Sequence, residues 1–241
     1  MSAEPDRTVD VDAVLLDVGG VFFVPEHERI LGAFERAECT TSADLLDRAH
    51  YTGAARMTTD LDVLEDWPGS WARYLDAYLT TCGAPDDAHD ELHKHLDSEF
   101  ADAALWIRVL PGCRDNLRAL AARGVRLGIV SNADGLIGAR LREHEILQVG
   151  PGPGVEVECV IDSGEVGVMK PDPRIFEIAL DALNLPPDRV CYVGDMPGID
   201  VVGARRANIR PFVIDPYDLH HDADYDRISS LAELADRIAP R

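Results

Sequence analysis

Apolar residues follow two different patterns along the chain. A continuous apolar run at residues 14–16 is typical of a buried strand, and it ends at Asp17, just before the glycine pair Gly19-Gly20. After this strand the apolar residues recur every three or four positions, which predicts amphipathic helices. From Pro111 onward, short apolar runs alternate with helical periods. The pattern therefore predicts a strand-and-helix fold that is interrupted by a purely helical stretch.

The helical stretch contains four groups of apolar residues at helical spacing. They are Ile30, Leu31 and Phe34; Leu45, Leu46 and Ala49; Trp71, Tyr74, Leu75, Tyr78 and Leu79; and Leu92, Leu96 and Phe100. Ser70 precedes the third group and is of a type that caps helix N-termini. Aromatic residues at this spacing are typical of packing. We interpret the stretch as a small helical bundle.

The second half of the chain alternates strands with helices. Predicted strands occupy residues 125–130, 157–161, 190–193 and 212–214, and predicted helices occupy residues 114–123, 136–147 and 174–183. The loop at residues 151–154 carries no candidate for chemistry, and a last helix begins at Ser230 with a capping-box sequence. Alternation of this kind predicts parallel strands joined by crossover helices.

Composition narrows the class of protein. At 241 residues and 46% hydrophobic content, the chain can build one large domain or a core with a smaller insertion. Its 5 cysteines are an odd number and lie far apart, which argues against a disulfide framework or a zinc knuckle. Residues 1–6 show no signal pattern, and no apolar run approaches the roughly 20 residues that span a bilayer. We expect a cytoplasmic protein without a membrane contact.

Net charge limits the partners. The chain carries 44 acidic and 23 basic residues, for a net charge of −21, so its long-range field repels polyanions such as nucleic acids. A small phosphorylated substrate is still compatible with this charge, because a divalent cation and a few local donors reverse the field inside one pocket.

Four segments carry candidate chemistry. In chain order they are Asp17-Val18-Gly19-Gly20-Val21, Ser131-Asn132, Met169-Lys170-Pro171-Asp172-Pro173, and Gly194-Asp195 with Asp200 five residues later. Because the carboxyl ends of parallel strands meet at one edge of a sheet, we expect these side chains to converge in one crevice. Phosphoryl transfer to a carboxylate needs such a set: a nucleophile, donors for the transferring oxygens, and paired acids for Mg²⁺.

The four segments, in this order, resemble the motifs of the haloacid dehalogenase superfamily of aspartyl-nucleophile hydrolases. The resemblance covers nearly the whole chain. It implies an α/β fold in which residues 1–26 and 107–241 form a Rossmann-like parallel-sheet core. Residues 27–106 would then be inserted after the first motif as a mobile α-helical cap.

The resemblance also implies roles for single residues. Asp17 would be the nucleophile that becomes an aspartyl phosphate, and Lys170 would orient it and neutralise charge. Ser131 and Asn132, together with Gly20, would bind the phosphate group alongside Lys170.

The cofactor that the resemblance implies is Mg²⁺. Its ligands would be Asp17, the backbone carbonyl of Gly19 and Asp195, with Asp200 assisting directly or through water. Asp200 could instead serve only as the N-cap of the helix that it begins.

Gly19 departs from the family pattern. Phosphatases of the superfamily usually carry a second aspartate here, which protonates the leaving group, and such a group is typically worth 10²- to 10⁴-fold in rate. A good leaving group, the substrate itself, or a cap residue such as His27 or Glu28 could replace it. Glycine could also serve a backbone angle that aspartate adopts only at a cost.

Several functions stay open. The first is a Mg²⁺-dependent phosphatase for a small phosphorylated metabolite, for which the resemblance makes a sugar phosphate one candidate. The alternatives are a catalytically impaired binding or regulatory protein and a dehalogenase-type hydrolase. Dehalogenases of the superfamily lack the Gly194-Asp195 pair, which favours the phosphatase. The sequence does not define the oligomeric state, or which of the cap residues Arg29, Arg56, Arg73, His27 and Trp67 face the crevice.

Overall fold

The computed structural model describes residues 8–59, 65–221 and 223–239, so residues 1–6, which we examined for a signal pattern, lie outside it. The strands in chain order are β1 (Ala13–Leu16), β2 (Phe23–Pro25), β3 (Trp106–Val109), β4 (Arg126–Ser131), β5 (Leu147–Val149), β6 (Val155–Val157), β7 (Cys159–Asp162), β8 (Val190–Gly194), β9 (Arg210–Ile214) and β10 (Asp226–Ile228). The helices are α1 (His27–Arg36), α2 (Ala43–Ala54), α3 (Trp67–Thr81), α4 (His89–Phe100), α5 (Cys113–Ala121), α6 (Ile137–Glu143), α7 (Ser163–Val166), α8 (Arg174–Leu183), α9 (Asp200–Arg206) and α10 (Leu231–Arg237).

A six-stranded sheet with the order β10-β9-β8-β1-β4-β7 forms the centre of the fold. Every pairing within it is parallel, and separate apolar clusters pack on its two faces. Leu16, the last residue of β1, pairs with Ile129 on one side and Val193 on the other. The α/β class with a parallel sheet is thereby confirmed, and Asp17 follows one of the two middle strands.

Helices α1 to α4 lie between β2 and β3, which pair with each other in an antiparallel ribbon. The four predicted helices are all present and pack around an apolar cluster that includes Phe34, Leu46, Tyr78 and Leu96. The ribbon was not predicted, because strands of three and four residues are too short to show a readable period.

Helix α3 begins before Ser70, so the capping prediction is wrong. Asp66 is the N-cap, and its side chain accepts a 3.0 Å hydrogen bond from the Gly69 N–H. Pro68 in the first turn favours this earlier start, since proline fits where no N–H is needed. Ser70 is fully buried inside the helix.

Other boundaries in the second half also differ from the prediction. Helix α6 ends at Glu143, and Leu147 already belongs to β5, because Glu145 turns the chain with a positive φ of 53°. The predicted strand at residues 157–161 is divided between β6 and β7, and β10 adds a strand after β9. None of the helices in the described ranges has the length and apolarity that a bilayer span requires.

Candidate active site

The sheet brings five of the predicted side chains together at its carboxyl edge. Asp17 follows β1, Ser131 ends β4, and Asp195 follows β8, while Lys170 lies in the loop before α8 and Asp200 begins α9. All five are buried, and all five line one cavity of about 410 Å³. The predicted convergence at one crevice is therefore present in the structure.

Lys170 uses all of its donors inside the site. Its ammonium lies 2.7 Å from Asp17 Oδ2 and donates to Asp200 Oδ1 and to the Tyr192 hydroxyl, both at 2.8 Å. Burial alone would lower the pKa of this ammonium, but the two carboxylates outweigh burial and raise it. Lys170 is therefore held as a cation against the Asp17 carboxylate.

Asp17 is a carboxylate in an unfavourable environment. Its Oδ1 accepts a 2.7 Å hydrogen bond from the Val18 N–H. Burial raises the pKa of Asp17 to about 7; Lys170 opposes this rise, whereas Asp200 and Asp195 add to it. A group tuned to this range by burial and specific neighbours is typical of a reactive site.

The Asp200 carboxylate accepts four hydrogen bonds. Its Oδ1 accepts from Lys170 and from the Tyr192 hydroxyl, and its Oδ2 accepts from the backbone N–H groups of Asp195 (3.0 Å) and Met196 (2.9 Å). Because both oxygens are engaged, Asp200 fixes the lysine and the Asp195 loop. It is the first residue of α9, whose N-cap is Ile199.

His50 of α2 is a site residue that sequence reasoning missed. It is completely buried, and its Nε2 lies 2.9 Å from Asp195 Oδ2. Its Nδ1 lies 2.9 Å from the Tyr74 hydroxyl, and its ring meets Trp106 edge to face at 5.2 Å. Neither His50 Nε2 nor Asp195 Oδ2 has a hydrogen-bond partner among the described residues, so their 2.9 Å approach is a close polar contact. The helical segment thus supports an acid of the site directly.

The acids of this site fit a divalent cation. Asp17, Asp195 and Asp200 each offer an oxygen, and the three oxygens lie within 4.8 Å of one another. Burial also raises the pKa of Asp195, against the opposing effect of His50, so two acids of one cluster resist ionisation. A bound cation favours the ionised form of these acids, and hard oxygen ligands suit Mg²⁺. Asp200 accepts two hydrogen bonds on each of its oxygens, whereas each Asp17 oxygen has one donor, so Asp17 and Asp195 keep lone pairs for the ion.

Comparison with known proteins gives the family. The model of a family described as haloacid dehalogenase-like hydrolase matches residues 11–208. The chain belongs to this family. It is 30% identical to a phosphoserine phosphatase of Thermus thermophilus over 92% of this chain and 90% of that protein. It is 33% identical to the human haloacid dehalogenase-like hydrolase domain-containing protein 3, over 58% of this chain and 55% of that protein.

Solved structures show the same fold. A 2-haloacid dehalogenase of Pseudomonas syringae superposes with a TM-score of 0.53 at 19% identity, covering 94% of this chain and 97% of that one. At this identity the likeness concerns the fold alone. Family membership makes the chain a hydrolase, and the chemistry at its sheet edge has to be argued from its own residues.

Two predicted phosphate-binding residues of this haloacid dehalogenase-like hydrolase have other contacts. The Asn132 side chain donates to the Lys170 carbonyl (3.0 Å) and accepts from the Lys170 N–H (2.8 Å), so it fixes the lysine loop. Gly20 does not line the cavity; its carbonyl accepts from the Tyr51 hydroxyl at 2.5 Å. Gly20 has a φ of 65°, and a Cβ there would lie 2.4 Å from Asp195 Cγ. Only glycine fits this turn beneath Asp195.

None of the residues that we considered as cap contacts lines the cavity; these were His27, Glu28, Arg29, Arg56, Arg73 and Trp67. The His27 Nε2 atom lies 3.0 Å from Asp47 Oδ1, and the Glu28 side chain is exposed. In this structure neither side chain lines the cavity in which Asp17 lies. The helical segment instead contributes its C-terminal end, through Phe100, Ala101, Ala103 and Trp106.

Proposed function

We propose that this hydrolase is a Mg²⁺-dependent phosphatase for a small phosphorylated metabolite and acts through an aspartyl phosphate on Asp17. One observation carries the proposal: the buried Asp17 carboxylate contacts the Lys170 ammonium and lies near the Asp195 carboxylate, and all three side chains line one cavity. Two relatives are named as phosphatases: the Thermus thermophilus protein and a phosphoglycolate phosphatase of Rhodospirillum rubrum, which is 32% identical over 64% of this chain and 61% of its own length.

The reaction follows from the contacts of Asp17. Its carboxylate oxygen attacks phosphorus, the bond from phosphorus to the ester oxygen breaks, and the leaving oxygen departs with its electron pair. Lys170 keeps Asp17 oriented, and the Ser131 hydroxyl donates to a phosphoryl oxygen. Water then attacks the phosphorus of the aspartyl phosphate and breaks its bond to the Asp17 oxygen. Hydrogen phosphate leaves, the Asp17 carboxylate is restored, and the proton lost by the water passes through solvent to the leaving-group oxyanion.

Mg²⁺ would be held by Asp17, the Gly19 carbonyl and Asp195. No backbone N–H in the described ranges donates to the Gly19 carbonyl, so this oxygen is free for a ligand. When bound, the ion supplies positive charge between the nucleophile and the phosphate. Asp200 supports the site through Lys170 and the Asp195 loop.

We assign residues 1–26 and 107–241 to the catalytic core and residues 27–106 to a helical cap. Helices α1 to α4 supply most of one apolar cluster, which Ile199 of the core also joins, and this supports the division. The five cysteines are free, and the charge of −21 disfavours nucleic acid. These features favour a cytoplasmic enzyme that acts on small molecules.

The proposal is tested with p-nitrophenyl phosphate, whose leaving group needs little protonation. We expect phosphate release that requires Mg²⁺ and stops with EDTA. Phosphate-like ligands that bind without any turnover would favour the binding-protein alternative, which the missing acid at Gly19 supports. Halide release from a 2-haloacid without Mg²⁺ would favour the dehalogenase alternative.

A further inference from the structure

The polar side chains around the cavity, outside the proposed phosphate and metal site, are already paired within the protein. Arg140 donates to both oxygens of Asp134, at 2.8 Å each. The Ser163 hydroxyl accepts from the Ala133 N–H at 3.0 Å and donates to the Ala133 carbonyl at 3.1 Å. The amide of Asn132 is engaged by the lysine loop. Few side-chain partners are left for hydroxyl or carboxylate groups of a substrate.

Apolar side chains form the rest of the wall. They include the bulky side chains of Phe100 and Trp106 from the helical segment, and of Phe23, Ile137, Met169 and Ile199 from the remainder of the chain. Met169 is 58% exposed and therefore accessible at the rim. Methionine adapts its shape and makes favourable contacts with aromatic rings. Such a wall favours an apolar group by the area that it removes from water.

A polar leaving group would lose its hydration in this cavity without regaining hydrogen bonds, which is unfavourable. A carboxylate would in addition find no unpaired cation on the described cavity wall, because Arg140 is paired with Asp134 and Lys170 with Asp17 and Asp200. The paired polar groups and charges of the cavity therefore disfavour hydroxyl-rich and carboxylate-bearing substrates.

Gly19 gives an independent reason for the same class of substrate. Without an acid at this position, the leaving oxygen has to depart unprotonated. A phenol has a pKa near that of tyrosine, about 10, whereas an alcohol lies near water, at about 15.7. Building on the phosphatase function above, we propose that the substrate is a phosphate monoester whose leaving group is apolar and of the aryl class.

Substrate comparison tests this proposal directly. With Mg²⁺, we expect kcat/KM for phenyl and 2-naphthyl phosphate to exceed that for 4-carboxyphenyl phosphate at least tenfold, a size typical of discrimination by an apolar pocket. The carboxyphenolate is no worse as a leaving group, so the difference reports recognition. O-phosphoserine and phosphoglycolate should be slower again. Equal or faster hydrolysis of the carboxylate-bearing esters would overturn the proposal while leaving the phosphatase function intact.

Ligand binding separates this proposal from the proposed function. Calorimetry should show that phenylphosphonate binds at least tenfold more tightly than phosphonoacetate, whether or not any ester is hydrolysed. Tighter binding of phenylphosphonate without hydrolysis of any ester would support the apolar site and refute the proposed phosphatase function. Tighter binding of phosphonoacetate would refute the apolar site.

Two exposed residues provide a matched pair of variants. Met169→Gln places a polar group on the rim and should raise KM for 2-naphthyl phosphate several-fold relative to phenyl phosphate. Leu136→Gln is the control, because Leu136 is 55% exposed but does not line the cavity. It should leave both KM values unchanged. An unchanged KM ratio in Met169→Gln, or an equal change in both variants, would contradict the proposed contact.

Discussion

Gly19→Asp tests whether the site lacks a general acid, because the backbone at this position does not require glycine. Gly19 is not among the residues with positive φ. Within the described residues, a Cβ at this position would meet Trp106 alone, at the ordinary contact distance of 3.7 Å to Cε3 and Cζ3. The idea that glycine serves a special backbone angle here is wrong. An aspartate fits without backbone strain, so the variant should fold.

The expected gain depends on the leaving group. The described cavity wall holds Asp134 in addition to Asp17, Asp195 and Asp200. The Arg140 hydrogen bonds lower the pKa of Asp134, which makes it a poor proton donor. An aspartate at position 19 would place a carboxylic acid on the cavity wall two residues after the proposed nucleophile, where it could protonate the leaving oxygen. Hydrolysis of alkyl phosphates should rise by about 10²- to 10⁴-fold, and that of aryl phosphates by much less.

The assay is kcat for a series of alkyl and aryl phosphates in the wild type, Gly19→Asp and Gly19→Asn. Asparagine has the same size but no carboxylic proton, so it controls for steric effects. The wild-type rate should fall steeply as the leaving-group pKa rises, and Gly19→Asp should flatten this dependence. A flat dependence in the wild type would mean that another group already donates the proton. An equal gain in both variants would refute acid catalysis as the cause.

Three further predictions test single side chains. Asp17→Asn should abolish turnover with unchanged circular dichroism, because the amide is nearly isosteric but not nucleophilic; retained activity would reopen the assignment. His50→Ala should raise the Mg²⁺ dissociation constant in calorimetry about 10- to 100-fold, through loss of support for Asp195, and His50→Gln should recover part of it. In Asp215, burial is outweighed by hydrogen bonds from Leu219, His220 and Arg227, which lower its pKa. Asp215→Asn should therefore cost about 1–3 kcal/mol of unfolding free energy at neutral pH, and the cost should shrink below about pH 4.

The controls for these predictions are specific. For His50, an unchanged dissociation constant in the alanine variant would show that Asp195 needs no support. For Asp215, the folded pKa lies below the unfolded value, so its contribution is complete above the unfolded pKa and is lost as pH falls through the folded one. Urea titrations at several pH values would contradict this if the difference between variant and wild type stayed constant down to pH 2.

The sequence defined the site wherever chemistry follows a strand end. Asp17, Ser131 and Asp195 lie at or directly after central parallel strands, so a rule about sheet edges places them together without any knowledge of packing. Lys170 was placed by its motif, since nothing local in the loop before α8 shows that its ammonium reaches Asp17.

Residues of the helical segment could not be placed in this way. His50 reaches Asp195 only because α2 folds back over the sheet edge, which no local pattern encodes. Its sole signal is its position four residues after Leu46, on the predicted apolar face of α2, where a histidine is as compatible with packing as with chemistry. Trp106 belongs to a ribbon strand too short to be recognised and was read only as the end of the insertion.

The adjacent glycines Gly19 and Gly20 look alike in the sequence, but the structure gives a backbone reason for only one of them. In the sequence, Gly19 and Gly20 are one turn signal. In the structure, Gly20 has a φ of 65° and lies so close to Asp195 that any side chain would displace this acid, so geometry alone accounts for it. Gly19 has neither constraint, and the space beside it opens toward Trp106. Because nothing in the backbone requires glycine there, its presence agrees with the proposed substrate class: an aryl leaving group departs without a proton donor, so the reaction would need no acid at position 19.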